Sequence, residues 1–561
     1  MSVAESPTTA SGGEVVPECP LDLDTRSHQH SAAGTWFRVY RHHLQLLRNQ
    51  AIAWIAVIAG VGALVALGYQ DVYETQAQRE AAATSLEGVP AFEALFGRTV
   101  EMATLEGFLL WRWGGFAILL AGIWGMRSGA RLLRGAEDSG HVEPLRAGAI
   151  SPRGLVAATL AALFTVHILL AAIVGLSHTA VGMDAATAWA MGGALALLAT
   201  VFTLVAALAA QFVSGQRHVM AITGIVLGAA LGLRVLAAGT GTPDWLWGTT
   251  PFGWASYLHE VDGARVAVFS AYLVSAVVLA VATLVFARRD IHGGQLGQVE
   301  RSYHDAPSVG NDLSLAARLV RGPLVVWGAI LGLSGLVFGL MAEDFAAAMA
   351  DLPDTMAMAE QIGWFAIDTP EGIVASMMLF LALVLCLFAA AQAAAIREEE
   401  ASWRIEHLLV RPVGRVRWLL GRVAVSMAAI VVLAFVTVAA AWIGVAIVSS
   451  PMSIGDLPAT ALNLVPIAWL FLGIGIALAG VRPRLTATIT YGAVIAAYVL
   501  DLVGGIIELP ERALELGPFR HLAAVPVQDH PFGAALIMVA VAALAVAVGV
   551  AVFRRRDLQE A

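Results

Sequence analysis

Two apolar stretches, 372-GIVASMMLFLALVLCLFAAAQAAAI-396 and 423-VAVSMAAIVVLAFVTVAAAWIGVAIV-448, contain no charged residue. Each exceeds the roughly 20 apolar residues that a helix needs to cross about 30 Å of hydrocarbon. Between them lies 397-REEEASWRIEHLLVRPVGRVRWLLGR-422, which is dense in Glu, Arg and Trp. The apolar stretches predict two membrane-spanning helices, and the charged stretch predicts a segment outside the bilayer that joins them.

The same alternation runs through the whole chain, which is 58% hydrophobic and 13% charged over 561 residues. This composition excludes an ordinary soluble domain. Apolar windows of spanning length recur about twelve times. They lie near residues 51–69, 105–126, 152–176, 186–213, 219–238, 264–286, 322–342, 370–396, 420–448, 460–481, 485–507 and 531–553. The sequence therefore predicts an all-α integral membrane protein with about 12 transmembrane helices.

Charge sets the predicted orientation, because basic residues in short loops mark the cytoplasmic side. Five arginines lie in segment 127–153 and six in 397–422, whereas segment 343–371 holds seven acidic residues and no arginine. This places both termini in the cytoplasm. The net charge of −9 averages two faces of opposite sign, so it does not indicate a nucleic-acid partner.

All 33 basic residues are Arg, a pattern typical of GC-rich bacterial coding. The phosphate-binding loop GxxxxGK[ST] requires a Lys, so the chain contains no such ATPase site and is not itself predicted to be an enzyme. Neither Cys19 nor Cys386 has a partner in a metal-ligand spacing, and His167 and Asp184 are isolated. We therefore predict no catalytic residue, no metal site and no cofactor bound by this chain.

Short motifs recur in the same order in both halves, at spacings of 263 to 267 residues. The pairs are 105-LEGF-108 with 370-PEGI-373, 134-RGAEDSGHVEPL-145 with 397-REEEASWRIEHL-408, 221-AITGIVLGAALGL-233 with 488-TITYGAVIAAYVL-500, 250-TPF-252 with 517-GPF-519, and 286-FARRDI-291 with 553-FRRRDL-558. Six spans return each half to its starting side, so the repeats are predicted to be parallel. The predicted regions are a disordered cytoplasmic tail (1–33), two six-helix halves (34–289 and 316–561) and a cytoplasmic linker (290–315).

The charged stretch between the second and third spans of each half predicts a short amphipathic helix, here 398-EEEASWRIEHLL-409. Acidic residues in its first turn and Arg at its end suit the helix dipole. One interpretation is a helix lying on lipid headgroups. The other is a docking surface for a cytoplasmic partner, which three consecutive glutamates and the duplication favour.

The pattern Glu-x-x-Ser-x-x-x-Glu-x-Leu, here at 399–408, is followed by a Pro-Val-x-Arg segment within 406-EHLLVRPVGRVRWLL-420 that leads into the next span. Together these motifs resemble the ABC-2 type permeases, especially the twelve-span bacterial exporters of polyketide antibiotics. The resemblance covers essentially the whole chain, including 251-PFGW-254 and the closing FxRRD. It implies that segments 137–145 and 400–408 are coupling helices seated on an ATP-binding subunit. The implied coupling residues are Glu137, Ser139, Glu143, Leu145, Glu400, Ser402, Trp403, Glu406 and Leu408. The first half departs from the pattern, with Gly140 where the second has Trp403.

The resemblance further implies two copies of a separate ATP-binding subunit, which would bind ATP and Mg²⁺, and a place in the bacterial plasma (inner) membrane. It implies that 36-WFRVYRHHLQLL-47 is a connecting helix on the inner leaflet before the first span. It also implies outward transport of hydrophobic or amphipathic compounds, including antibiotics, along a pathway lined by spans 2, 5, 8 and 11.

Large soft side chains in spans 2 and 8 are candidates for the wall of that pathway. They are Trp111, Arg112, Trp113, Phe116, Met377, Met378 and Phe380. The alternative is that these residues simply face lipid or pack in the core. Arg234 and Asp501, at matching positions of spans 5 and 11, are a candidate outer gate. The alternative is that each snorkels separately to the outer interface.

Three other functions stay open from sequence alone. Twelve spans in two parallel halves also describe the major-facilitator type of ion-coupled secondary transporter. That architecture predicts charged coupling residues near the bilayer midplane, of which the chain has few, and no repeated cytoplasmic helix. ABC export of a lipid or glycolipid and a membrane sensor without transport are the remaining alternatives.

Overall fold

The computed structural model describes residues 32–86, 93, 96–140, 150–237, 243–258, 263–287, 312–350, 366–401, 414–448, 453–504 and 510–556. Within these ranges every regular element is helical. Most of the predicted tail and linker lie outside them. The chain is therefore an all-α protein in the part that the structure describes.

In the described residues, eight α-helices precede the predicted linker: α1 (Ala32–Val72), α2 (Gln76–Leu86), α3 (Leu105–Asp138), α4 (Pro152–Ala180), α5 (Ala185–Phe212), α6 (Gln216–Ala237), α7 (Pro251–Trp254) and α8 (Gly263–Phe286). Seven described α-helices follow it: α9 (Asp312–Ala350), α10 (Pro370–Ala401), α11 (Arg415–Ile447), α12 (Leu457–Val481), α13 (Thr486–Gly504), α14 (Glu511–Leu514) and α15 (Phe532–Arg555).

Among the described residues, 11 helices are long and apolar enough to cross a membrane, which confirms a multi-pass integral membrane protein. Each coincides with one of the predicted spans. The remaining predicted span, 485–507, contains the 19-residue helix α13, which is not one of those 11. The twelve-span duplication accordingly stays a prediction.

Helix α1 differs from the sequence expectation of a connecting helix followed by a separate span. It runs without interruption for 41 residues, from Ala32 to Val72. The junction 48-RNQ-50 contains neither Pro nor Gly, so nothing in it breaks the backbone hydrogen-bond ladder. The amphipathic segment 36–47 is thus the first part of the same helix.

Helix α3 contains two π-helical segments, Leu110–Gly114 and Arg131–Gly135. A π turn closes hydrogen bonds from residue i to i+5, so it holds one residue more than an α turn. Helix α10, which the repeat aligns with α3, is α-helical from Pro370 to Ala401. Between the aligned motifs, α3 has 30 residues from Leu105 to Arg134, whereas α10 has 28 from Pro370 to Arg397. Two π segments match this excess of two residues.

The chain divides into two compact units. Unit 1 comprises residues 1–63, 117–229 and 262–298, and unit 2 comprises 64–116, 230–261 and 299–561. In unit 1, α4 and α5 pack at small residues, where Gly192 meets the backbone of Ala171 and Gly175 meets the ring of Trp189. Such contacts let helices approach closely within a bilayer.

In unit 2, α9 and α11 make an extensive contact of the same kind. Gly335 and Gly339 lie against the backbone carbonyls of Thr437 and Ala441, and Gly444 lies against that of Leu336. A side chain at any of these three positions would collide with backbone atoms. Around this contact the core of unit 2 is built from Leu, Val, Ala, Met and Phe side chains of α9 to α12.

Candidate functional site

The C-terminal end of α3 carries a group that we call the first acid cluster: Arg134, Glu137 and Asp138. Arg134 Nη1 donates to Glu137 Oε2 at 2.9 Å, and Arg134 Nε donates to the carbonyl of Ala210 in α5 at 2.8 Å. The side chains of Arg134 and Glu137 are 1% and 10% exposed. Asp138 Oδ2 accepts from the backbone N–H of Gln216, the first residue of α6, at 2.7 Å. The cluster thus fixes the last turn of α3 to α5 and α6.

The equivalent end of α10 carries the second acid cluster, formed by Arg397, Glu399, Glu400, Arg422 and Arg556. Arg556 Nη1 and Nη2 donate to the two carboxylate oxygens of Glu400 at 2.6 and 2.7 Å. Arg556 Nη2 also donates to the carbonyl of Ala479 in α12 at 3.0 Å. This two-pronged geometry is the strongest form of arginine–carboxylate pair.

The other residues of the second acid cluster form further ion pairs and hydrogen bonds. Arg422 of α11 lies 2.7 Å from Glu399 Oε1, and Arg397 lies 3.8 Å from Glu400 Oε2. Arg415, at the start of α11, donates to the carbonyl of Arg556 at 3.3 Å. The last turn of α10 is therefore bound to α11, α12 and the end of α15.

These positions revise the predicted amphipathic helix at 398–409. Residues 398–401 form the last turn of α10 and do not begin a separate helix. Glu137 and Glu400 are buried, at 8% and 5% exposed, so their carboxylates face arginines of this chain. Ser139, the first-half coupling residue at the end of α3, donates to the carbonyl of Gly135 at 2.9 Å. The remaining coupling candidates lie outside the described residues: Glu143, Leu145, Ser402, Trp403, Glu406 and Leu408.

The pathway candidates of span 2 surround the first π segment. Trp111 and Trp113 are buried, whereas Arg112 and Phe116 are exposed. Phe96, from the preceding segment, packs at 4.8 Å from the Trp111 ring and at 5.7 Å from the Phe116 ring. Phe96 therefore brings Trp111 and Phe116 into one aromatic group.

The pathway candidates of span 8 lie in the core of unit 2. Met377 and Met378 are buried there, and Phe380 is half-exposed with its ring 6.4 Å from that of Tyr498 in α13. The burial of the two methionines matches the core alternative in this structure. Their role in a pathway stays a prediction.

The candidate outer gate is not closed by an ion pair in the part of the chain that the structure describes. Arg234 of α6 is 3% exposed, and the described residues contain no ion pair that includes it. Asp501 of α13 interacts electrostatically with Arg520 and His521. The gate stays a hypothesis, because no hydrogen bond or ion pair between Arg234 and Asp501 occurs among the described residues.

Asp184, isolated in the sequence, is the N-cap of α5. Its carboxylate accepts from the backbone N–H and the hydroxyl of Thr187 at 2.9 and 3.0 Å. These hydrogen bonds, with Arg265 nearby, lower the pKa of Asp184 below its usual value. The residue has a local structural role, as caps of this type do. No group of three metal-ligating side chains occurs among the described residues.

Sequence reasoning missed the arginines that hold the two acid clusters. Arg556 lies in the repeated FxRRD motif, whose recurrence was the available signal. Arg134 and Arg422 could be counted only as cytoplasmic charge, because nothing in their spacing shows that they face inward. Their burial became visible only when the neighbouring helices were in place.

Two comparisons with known proteins bear on this arrangement. The family model described as "Multidrug efflux system permease Rv1217c, C-terminal domain" matches residues 310–554. Over 538 residues the chain is 28% identical to the "Multidrug efflux system permease protein Rv1217c" of Mycobacterium tuberculosis. This alignment covers 95% of the present chain and 97% of the mycobacterial protein. The chain is therefore similar to an efflux-system permease along nearly its whole length. The family model spans α9 to α14 and most of α15.

Proposed function

We propose that this chain is the permease subunit of an ATP-driven ABC exporter of the ABC-2 type, in a bacterial plasma membrane. Two copies of a separate ATP-binding subunit, each holding ATP and Mg²⁺, drive transport. The transported compounds are hydrophobic or amphipathic, including antibiotics and other drugs. Likeness to a multidrug efflux system permease over 95% of the chain supports the transport role.

The observation that carries the proposal is the pair of buried acid clusters. Each includes the first residue of a segment that we propose to be a coupling helix, namely 137–145 and 400–408. We call the helix end to which such a segment is attached its root. A force on the segment reaches the membrane helices only if this root is rigid. The hydrogen bonds from Arg134 to Ala210 and from Arg556 to Glu400 supply that rigidity.

Nucleotide binding then acts because the open–closed equilibrium of the ATP-binding subunits is linked to the conformational equilibrium of the membrane helices. ATP favours the closed dimer of the ATP-binding subunits, and hydrolysis relaxes it. The coupling helices transmit this difference to α3 and α10, which carry the aromatic and methionine candidates for the pathway wall. The substrate then moves through the space that these helices control.

The test is transport by inside-out membrane vesicles that contain this chain and a candidate ATP-binding subunit. We expect ATP-dependent uptake of a fluorescent cationic drug such as ethidium, and co-purification of the two proteins. Glu400→Gln should reduce uptake per ATP hydrolysed, because it loosens the root of the coupling helix. Glu343→Gln, at an exposed position of α9, is the matched control and should leave the ratio unchanged.

Other outcomes would contradict the proposal. Uptake by vesicles containing this chain alone, driven by a proton gradient and insensitive to ATP, would identify a secondary transporter. ATP-dependent flipping of a fluorescent phospholipid, with no uptake of ethidium or of a neutral drug, would identify a lipid exporter.

A further inference from the structure

Two arginines lie close to Phe96 in unit 2. Arg234 of α6 is 3% exposed, and its Nε has no hydrogen-bond partner among the described residues. Arg112 of α3 places its Cζ 4.9 Å from the centroid of the Phe96 ring. In the described part of the chain neither arginine forms an ion pair.

The absence of a side chain at Gly115 leaves room for Arg234. A Cβ atom built on Gly115 would contact the carbonyl oxygen of Phe96 and lie 3.2 Å from Arg234 Nη2. Arg112 precedes Gly115 by three residues, inside the first π segment. Both guanidinium groups thus lie beside the same short stretch of α3.

A guanidinium group removed from water and left without an anion is costly, and it loses more when its hydrogen atoms are unpaired. Arginine presents a planar, permanently charged fork that matches a carboxylate, sulfonate or phosphate group. A pair of arginines beside aromatic side chains provides both a charged and an apolar surface. The complementary ligand is an amphiphile with one acidic group.

The second half does not reproduce this pair. By the repeat alignment, Met377 stands where the first half has Arg112, and Asp501 stands where it has Arg234. Asp501 interacts with Arg520 and His521, so its charge is directed to other residues. Among the described residues, these two repeat positions therefore carry arginines without an ion pair in α3 and α6 but not in α10 and α13.

We propose that Arg234, assisted by Arg112, binds the acidic group of an amphipathic molecule, with its apolar part on the Phe96, Trp111 and Phe116 rings. The acidic group belongs either to a transported compound or to an anionic lipid headgroup. The inference rests on the proposed function only for the step from binding to transport. It adds anionic amphiphiles to the expected substrates.

The experiment measures binding to the purified full chain in nanodiscs of zwitterionic phosphatidylcholine, with no ATP-binding subunit present. The probes are the anionic dye 8-anilinonaphthalene-1-sulfonate and the neutral dye N-phenyl-1-naphthylamine. Arg234→Gln should weaken binding of the anionic dye by about tenfold or more, because a charge-assisted pair is lost, and leave the neutral dye unaffected. Arg112→Gln, at an exposed side chain, should produce a smaller loss for the anionic dye. Arg482→Gln, at an exposed position before α13, is the control and should change neither dye.

Equal affinity of the wild type and both variants for the anionic dye would overturn the proposal. If Arg234→Gln fails to fold, Arg112→Gln still decides, since loss of the anionic dye alone supports the site and no loss refutes it. Nanodiscs with phosphatidylglycerol separate the two ligand sources. Competition that depends on Arg234 supports a lipid headgroup, and unchanged dye affinity supports a free amphiphile.

The assay needs no nucleotide, so its result is independent of whether the chain works with an ATPase. Failure of dye binding together with ATP-driven efflux of ethidium would remove this site and leave the proposed function intact.

Discussion

The two acid clusters place a buried glutamate at matching positions but neutralise it differently. Glu137 receives its cation from Arg134, one turn earlier on the same helix. Glu400 receives its main cation from Arg556, 156 residues later, at the end of α15. A pair within one helix stabilises that helix locally, whereas a pair between helices makes each depend on the other. The comparison indicates that the C-terminal end of α10 depends more on tertiary packing than the C-terminal end of α3.

The largest expected effect comes from changing helix register. Deletion of Ala394 from α10 would rotate one end of a buried helix by about 100° relative to the other and should abolish folding. Deletion of Arg131 from the second π segment of α3 should convert that segment to α-helix and lower the melting temperature by less than about 5 °C. Size-exclusion chromatography and thermal unfolding in detergent measure both. If the two deletions are equally damaging, the π segments are not the places where α3 holds its extra residues.

Removal of the inter-helix cation ranks next. Arg556→Ala removes the bidentate cation of the buried Glu400 carboxylate, and we expect a loss of about 3 kcal/mol in the free energy of unfolding. The double variant Arg556→Ala with Glu400→Gln should be less destabilised than the single variant, because it no longer buries a carboxylate that has lost this cation. Thermal unfolding of the wild type, the two single variants Arg556→Ala and Glu400→Gln, and the double variant forms a complete double-mutant cycle. Additive losses would show that the pair does not interact energetically.

The equivalent change in the first half should be smaller. Arg134→Met removes the cation from Glu137, whose side chain is more exposed than that of Glu400 and can draw on water. We expect a loss of about 1–2 kcal/mol. The same unfolding assay compares it directly with Arg556→Ala. A larger loss for Arg134→Met would reverse the proposed ranking of the two clusters.

The smallest effect concerns the helix caps. Asp184 caps α5 through Thr187, whereas Asp456, the N-cap of α12, makes no side-chain cap hydrogen bond. Asp184→Ala should lower the melting temperature slightly at pH 7, and Asp456→Ala should leave it unchanged.

The pH dependence of the Asp184 effect follows from its lowered pKa. The folded protein favours the carboxylate, so the stabilisation is fully present above the ordinary aspartate pKa of about 4 and is lost as pH falls through the lower folded value. Melting curves of the wild type and Asp184→Ala should therefore converge in acid. A difference that persists at the lowest accessible pH would show that the cap does not act through its charge.

Much of the membrane architecture could be predicted because the bilayer imposes a simple rule on composition and length. The 11 spanning helices follow the apolar windows closely. The failures have a common physical cause, since charged residues at helix ends look exposed in a sequence. The run 398-EEEA-401 was interpreted as the polar start of a surface helix, yet it closes α10 with Glu400 buried. The decisive partners, Arg422 and Arg556, are distant in sequence.

The candidate pathway also shows that contacts between distant residues are not visible in the sequence. The cluster at Trp111 and Trp113 could be nominated from residue type alone. Its aromatic neighbour Phe96 belongs to a segment that no hydrophobic periodicity connects to α3. The sequence of the π turn at Leu110–Gly114 contains no pattern that predicts a π turn. Only the shift in spacing between the repeats hints at an inserted residue.

The long sequence separation between Glu400 and Arg556 has a consequence for biosynthesis. At about 5–20 residues per second, roughly 8–30 s of translation separate the two residues, so the glutamate is synthesised well before its bidentate partner. Arg397, which lies 3.8 Å from Glu400 in the folded chain, is already present in that interval. The contact that fixes the end of α10 to the end of α15 can therefore form only after the chain has been synthesised through Arg556.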